Sequence, residues 1–240
     1  MNEFWEKWKN KTKTEKELIA KLKKALPIIK KEINYIKAIY VKGTFSRRET
    51  IKESDVDLVL IFKIQNYEKK QSEIKKTLKK QGLEKISISA YSLEELEKGK
   101  TKLNKNTKRF PKHIKEYELL LGKNLEKKYL KTRSDEEDFK KMKKAFKEIF
   151  LPAYNQGKMS VHEIAKQVFW LTDNELRSKK IKPQKTWQEL KEQIKKTEPK
   201  HIFLEAHKIR KLKAQDKKIT KKQEKEFIEK IKKHVEKPLT

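Results

Sequence analysis

The 240-residue chain contains no cysteine, which excludes disulfides, thiolate metal sites and thiol nucleophiles. Glycine is almost as scarce. Its five glycines form neither a Gly-x-x-x-x-Gly-Lys-Ser/Thr loop nor a Gly-x-Gly-x-x-Gly turn, so P-loop and dinucleotide-binding folds are set aside. No apolar run nears the roughly 18 residues needed to cross a bilayer, and the lysine-rich start lacks the apolar core of a signal peptide. No membrane partner and a cytoplasmic location are therefore expected. The five histidines, His113, His162, His201, His207 and His234, show no i, i+4 pairing or other ligand spacing. They are expected to be surface or packing residues.

What the chain has in excess is lysine. Sixty-five basic residues face 35 acidic ones, for a net charge of +30. The excess is spread along the chain, +18 up to Arg133 and +12 beyond it. Only six of the basic residues are arginine. Lysine supplies sequence-blind Coulomb attraction, whereas arginine supplies bidentate recognition. RNA or another nucleic acid is the natural partner of such a field. The competing explanation is a lysine-biased composition.

The most informative stretch runs from Tyr40 to Phe62. Gly43-Thr44 is followed, ten residues on, by Asp55-Val56-Asp57 at the head of the apolar run Leu58 to Phe62. That run reads as a buried strand. Alternation then puts Asp55 and Asp57 on one side, with Val56 and Leu58 on the other. Carboxylates about 7 Å apart on a fixed strand can share a divalent cation, Mg²⁺ or Mn²⁺. Thr44, Ser46 and Arg47, beside the exposed amides of the glycine turn, suit phosphate oxygens.

This constellation resembles the nucleotidyltransferase superfamily of the polymerase-beta type. The shared features are Gly43-Thr44, Ser54-Asp55-Val56-Asp57 and Arg47; the segment Glu118 to Leu125 is similar to the one that closes small members of the family. The resemblance spans roughly Leu18 to Leu130 and implies a nucleoside triphosphate as substrate. Gly43, Thr44, Ser46 and Arg47 are its implied nucleotide ligands. Asp55 and Asp57 are the implied catalytic and metal residues. Two departures stand out. Lys42 replaces an apolar residue, and the strand Ile86 to Tyr91, whose alternation puts Ile86, Ile88 and Ala90 inward and Ser87, Ser89 and Tyr91 on a polar face, offers serine where the family carries a third carboxylate. Glu84 has the parity of the isoleucines and would need a bulge to reach the metals.

The expected fold class is α+β: a mixed sheet with flanking helices over residues 1–133, then an all-α domain over 134–240. In the first, an amphipathic helix over 15–34, strands 36–41, 56–62 and 86–91, a helix over 68–80 and a basic loop over 100–112 are expected. In the second, Ser134, Ser160, Thr186 and Thr220 each begin a capping-box spacing. They predict helices over 135–150, 161–178, 187–197, 199–214 and 221–236. From Lys208 on, large apolar side chains look too few to fill a core, which suggests a solvated helix or a nucleic-acid arm. Phe4, Trp5 and Trp8 read as a staple on the domain, with base stacking as the alternative.

Three functions compete. The first is a metal-dependent transferase moving a nucleoside monophosphate from a triphosphate to a hydroxyl of RNA or protein, with weak turnover for want of the third carboxylate. The second is a protein-binding module of the toxin–antitoxin kind, and the third is a degenerate nucleic-acid-binding protein.

Overall fold

The computed structural model describes residues 2–101, 107, 109–125, 130–215 and 217–237. It divides into two compact units, Met1–Arg133 and Ser134–Thr240.

The first unit is built on a mixed sheet. Helix α1 (Lys13–Lys30) opens with a capping box in which Thr12 and Glu15 satisfy each other's backbone amides, and Pro27 lies inside it. Strand β1 (Ile36–Lys42) leads into the single turn α2 (Gly43–Ser46) and strand β2 (Val56–Phe62). Helix α3 (Glu68–Lys80) carries the chain to β3 (Ile86–Ser92), and Ser92 caps α4 (Leu93–Lys98). A short helix α5 (Arg109–His113) precedes β4 (Glu118–Gly122). The expected loop over 100–112 thus contains helix at its end; its residues 102–106 and 108 lie outside the described residues.

The strand order is β3-β2-β1-β4. β1 is antiparallel to both β2 and β4, while β2 and β3 are parallel, α3 supplying the crossover. One face packs Ile39, Val41, Val56, Leu58, Leu60 and Ile88 against α1 and α3. The opposite face is a second core, not the polar surface read from Ser87, Ser89 and Tyr91. Tyr40, Val59, Ile61, Leu96 and Phe110 fill it, and Tyr91 packs against them. Helices α4 and α5 contribute Leu96 and Phe110 to that face, and at its Asp57 end Lys42 and Ser87 are the strand partners.

The N-terminal aromatics are structural. Trp5 is fully buried, and Phe4, Trp5 and Trp8 ring Phe45 of α2 at centroid distances of 5.2–6.5 Å. Arg48 locks the arrangement. Its guanidinium donates from Nε to Glu15 Oε1 (3.0 Å) and from an Nη to Glu15 Oε2 (3.2 Å), and also to the Lys9 carbonyl, while lying over the Trp8 ring.

The second unit is helical. Helix α6 (Asp135–Ala145) passes through a π-turn, Phe146–Phe150, into α7 (Leu151–Asn155). The expected helix over 135–150 is thus interrupted and extended. Pro152 has no N–H for the carbonyl four residues back, which loosens the ladder at that point. Helices α8 (Val161–Ser178), α9 (Trp187–Thr197), α10 (Ile202–Ala214) and α11 (Lys221–Glu236) follow. Helix α8 is the hub, burying Ile164, Ala165, Val168, Phe169 and Leu171. The expectation that the residues from Lys208 on carry too few large apolar side chains to fill a core is overturned. Phe227, Ile228, Ile231 and Val235 recur at helical spacing and are all buried in this core. No helix among the described residues is long and apolar enough to cross a membrane.

Candidate functional site

Two places in the molecule gather chemistry, one in each unit. In the first, β1 ends at Lys42, and Gly43 turns the chain with φ +83°, a conformation that disfavours any side chain. The turn also requires a missing side chain. A Cβ on Gly43 would lie 2.5 Å from Asp57 Oδ2. Glycine therefore lets the backbone close onto the carboxylate.

The strand register sets out the neighbours. Asp57 is the partner of Lys42 on β1 and of Ser87 on β3. Directly paired residues project to the same side of a sheet, so Lys42, Asp57 and Ser87 form one row across three strands. Ser89 pairs with Val59, one step deeper over the second core. Ser87 thus stands in the place opposite Asp57 where the resemblance implies a carboxylate. Asp55, half-buried, lies at the entry of β2. Among the described residues no third carboxylate or histidine joins Asp55 and Asp57 in a cluster with metal-ligand spacing. Glu84 belongs to the exposed turn before β3.

The remaining candidates are nearby but engaged. Thr44 Oγ1 donates to Ser54 Oγ (3.4 Å), which accepts the Ile51 amide (2.8 Å) and so fixes the loop ahead of Asp55. Ser46 is buried and donates to the Gly43 carbonyl (3.0 Å). Arg47 donates from Nε to Glu49 Oε2 (2.8 Å), both side chains being mostly buried. Thr44 and Arg47 are the two that could turn toward a phosphate. Ser46 spends its hydroxyl on the turn itself.

The second place was missed in the sequence. Glu175 on α8 is buried, and its Oε2 accepts from Nε2 of both His201 (3.2 Å) and His234 (2.8 Å). Lys179 donates to Oε1 at 2.9 Å and reaches Glu198 at 3.2 Å. Burial works against ionising Glu175, but the hydrogen bonds from His201, His234 and Lys179 hold its carboxyl well below the usual range. The three ligand atoms are close enough to suggest a metal. The hydrogen-bond pattern argues otherwise. His201 caps α10, its Nδ1 accepting the Phe203 amide at 3.1 Å. Nε2 of His201 must then carry the hydrogen that Glu175 accepts, and it has no lone pair for an ion. His201, buried, and His234, part-buried, are joined through one carboxylate, a link that their sequence spacing does not announce.

No family model, curated protein or solved structure matches the chain.

Proposed function

We propose that the first unit is a metal-dependent nucleotidyltransferase of low turnover, moving a nucleoside monophosphate from a triphosphate to a hydroxyl of RNA or protein. The observation that carries this reading is the close approach of the Gly43 turn to the Asp57 carboxylate, which supports a role for the turn in holding phosphate beside a metal-type ligand. Asp55 and Asp57, two carboxylates at the head of β2, are oxygen donors of the kind that suit one Mg²⁺ or Mn²⁺. Such an ion, when bound, neutralises the phosphate oxygens and favours attack at phosphorus.

The protein's own residues do the rest. Gly43 keeps the backbone low, so that a triphosphate can approach the carboxylates. Lys42, in the same row as Asp57, adds a positive charge for it. Arg47 can exchange Glu49 for a phosphate oxygen, a trade between two charge-assisted bonds. Ser87 cannot accept the proton of an attacking hydroxyl as a carboxylate does. Base assistance is typically worth 10²–10⁴-fold, so slow transfer is expected.

That same serine favours a second reading, a module that binds the nucleotide without transferring it. The test is incubation with each of the four labelled triphosphates, Mg²⁺ or Mn²⁺, and either total RNA or protein. Label passing from one triphosphate to RNA or protein is the expected result. Binding without transfer would favour the module, and neither would overturn both.

A further inference from the structure

The helical unit holds a cavity of about 720 Å³, within the range of small-molecule sites. Its walls come from α6, the end of α8, the segment before α10 and the end of α11. Five lysines and three glutamates line it. Two of those glutamates, Glu175 and Glu198, already share Lys179. Glu136 is left to balance Lys140, Lys143, Lys200 and Lys237, so the cavity carries a net positive charge. A cationic ligand is disfavoured there.

The wall is built, not merely basic. Glu175 fixes the rings of His201 and His234 from a position more than nine-tenths buried. In its neutral form, His234 donates from Nε2 and keeps an acceptor on Nδ1. Lys143 lies over the Phe139 ring and donates to the Lys237 carbonyl. Burial and then the neighbouring Lys147 push its pKa down, with Glu175 opposing. A partly desolvated cation facing further cations is relieved by an anion.

We propose that this cavity binds a small phosphate-bearing molecule that also carries hydroxyls, of mononucleotide or sugar-phosphate size. Lys140, Lys143 and Lys200 take the phosphate, and His234, held by Glu175, accepts from a hydroxyl. The volume of the cavity suits a ligand of that size.

The test uses the full-length protein in EDTA, so that no metal-dependent binding contributes. Inorganic phosphate, ribose 5-phosphate and 5′-AMP are titrated separately by calorimetry. The two organic phosphates should bind more tightly than inorganic phosphate. Lys140→Ala with Lys143→Ala should weaken both by about tenfold or more. His234→Asn should weaken them while leaving inorganic phosphate unchanged. The exposed pair Lys75→Ala with Lys76→Ala on α3 should bind as wild type does. Circular dichroism checks that each variant is folded. Absence of binding by all three probes at millimolar concentration would overturn the proposal. So would equal weakening by the α6 and α3 lysine pairs.

Discussion

Gly43 and Asp57 are packed so closely that a single methyl group on the glycine would lie 2.5 Å from the aspartate Oδ2. Alanine at this position meets two obstacles, the carboxylate and a φ of +83°. Left-handed backbone alone costs a non-glycine residue about 1–2 kcal/mol. Gly43→Ala should lower the denaturation free energy by at least that much. It should also weaken Mg²⁺-dependent triphosphate binding, because Asp57 has to swing away. Denaturant titration and calorimetry measure the two effects; a variant with wild-type affinity would separate the turn from the site.

Arg47 is bonded to Glu49. Glu49→Gln weakens that partner and should tighten triphosphate binding, whereas Arg47→Ala should loosen it. A charge-assisted contact is worth about 1.5–3 kcal/mol, so the loss should reach about tenfold. If neither variant changes the affinity, Arg47 serves only to close the loop.

The register distinguishes the two serines. Ser87 faces Asp57, while Ser89 faces Val59. Ser87→Asp should raise the transfer rate, within the 10²–10⁴-fold that base assistance supplies. Ser89→Asp should not, and it should destabilise the protein by placing a charge over an apolar core. Equal rates from the two variants would contradict this assignment.

Glu175 predicts an acid-labile helical unit. Its folded pKa lies below the unfolded value of 4.5. The stabilisation is therefore complete above that value and is lost as pH falls below it. Glu175→Ala leaves the two imidazoles without their acceptor and Lys179 with Glu198 alone, at a cost of about 1–3 kcal/mol for each buried donor left unpaired. The variant should also lose the wild-type protein's extra acid sensitivity below about pH 4.5. Thermal unfolding of both proteins between pH 3 and 7 checks this.

Much of the architecture was legible because local signals and tertiary packing agree. Thr186, Ser160 and Thr220 cap the helices that their spacing predicts, and the Leu58–Phe62 run is a buried strand. The errors have physical causes. The last helix was undervalued because four apolar residues on one face suffice when a core already exists to receive them. The face carrying Ser87 was read as polar from one strand, but its neighbours Val59 and Ile61, with Leu96 and Phe110, decide its character. The Glu175 cluster left no periodic trace. Its histidines are 26 and 59 positions from the glutamate and reach it from other parts of the chain. Arg48 and Glu15, 33 positions apart, were hidden for the same reason.

The central claim is that Asp55 and Asp57 bind the ion that holds a triphosphate against the Gly43 turn. Its most direct measurement is calorimetric titration of wild type and the Asp55→Asn, Asp57→Asn double variant with ATP, GTP, CTP and UTP, with Mg²⁺ and then with EDTA. The account predicts that wild type binds at least one triphosphate more tightly with Mg²⁺, and that the double variant loses this increment while keeping its thermal stability. A double variant that retains the full Mg²⁺-dependent increment would contradict it.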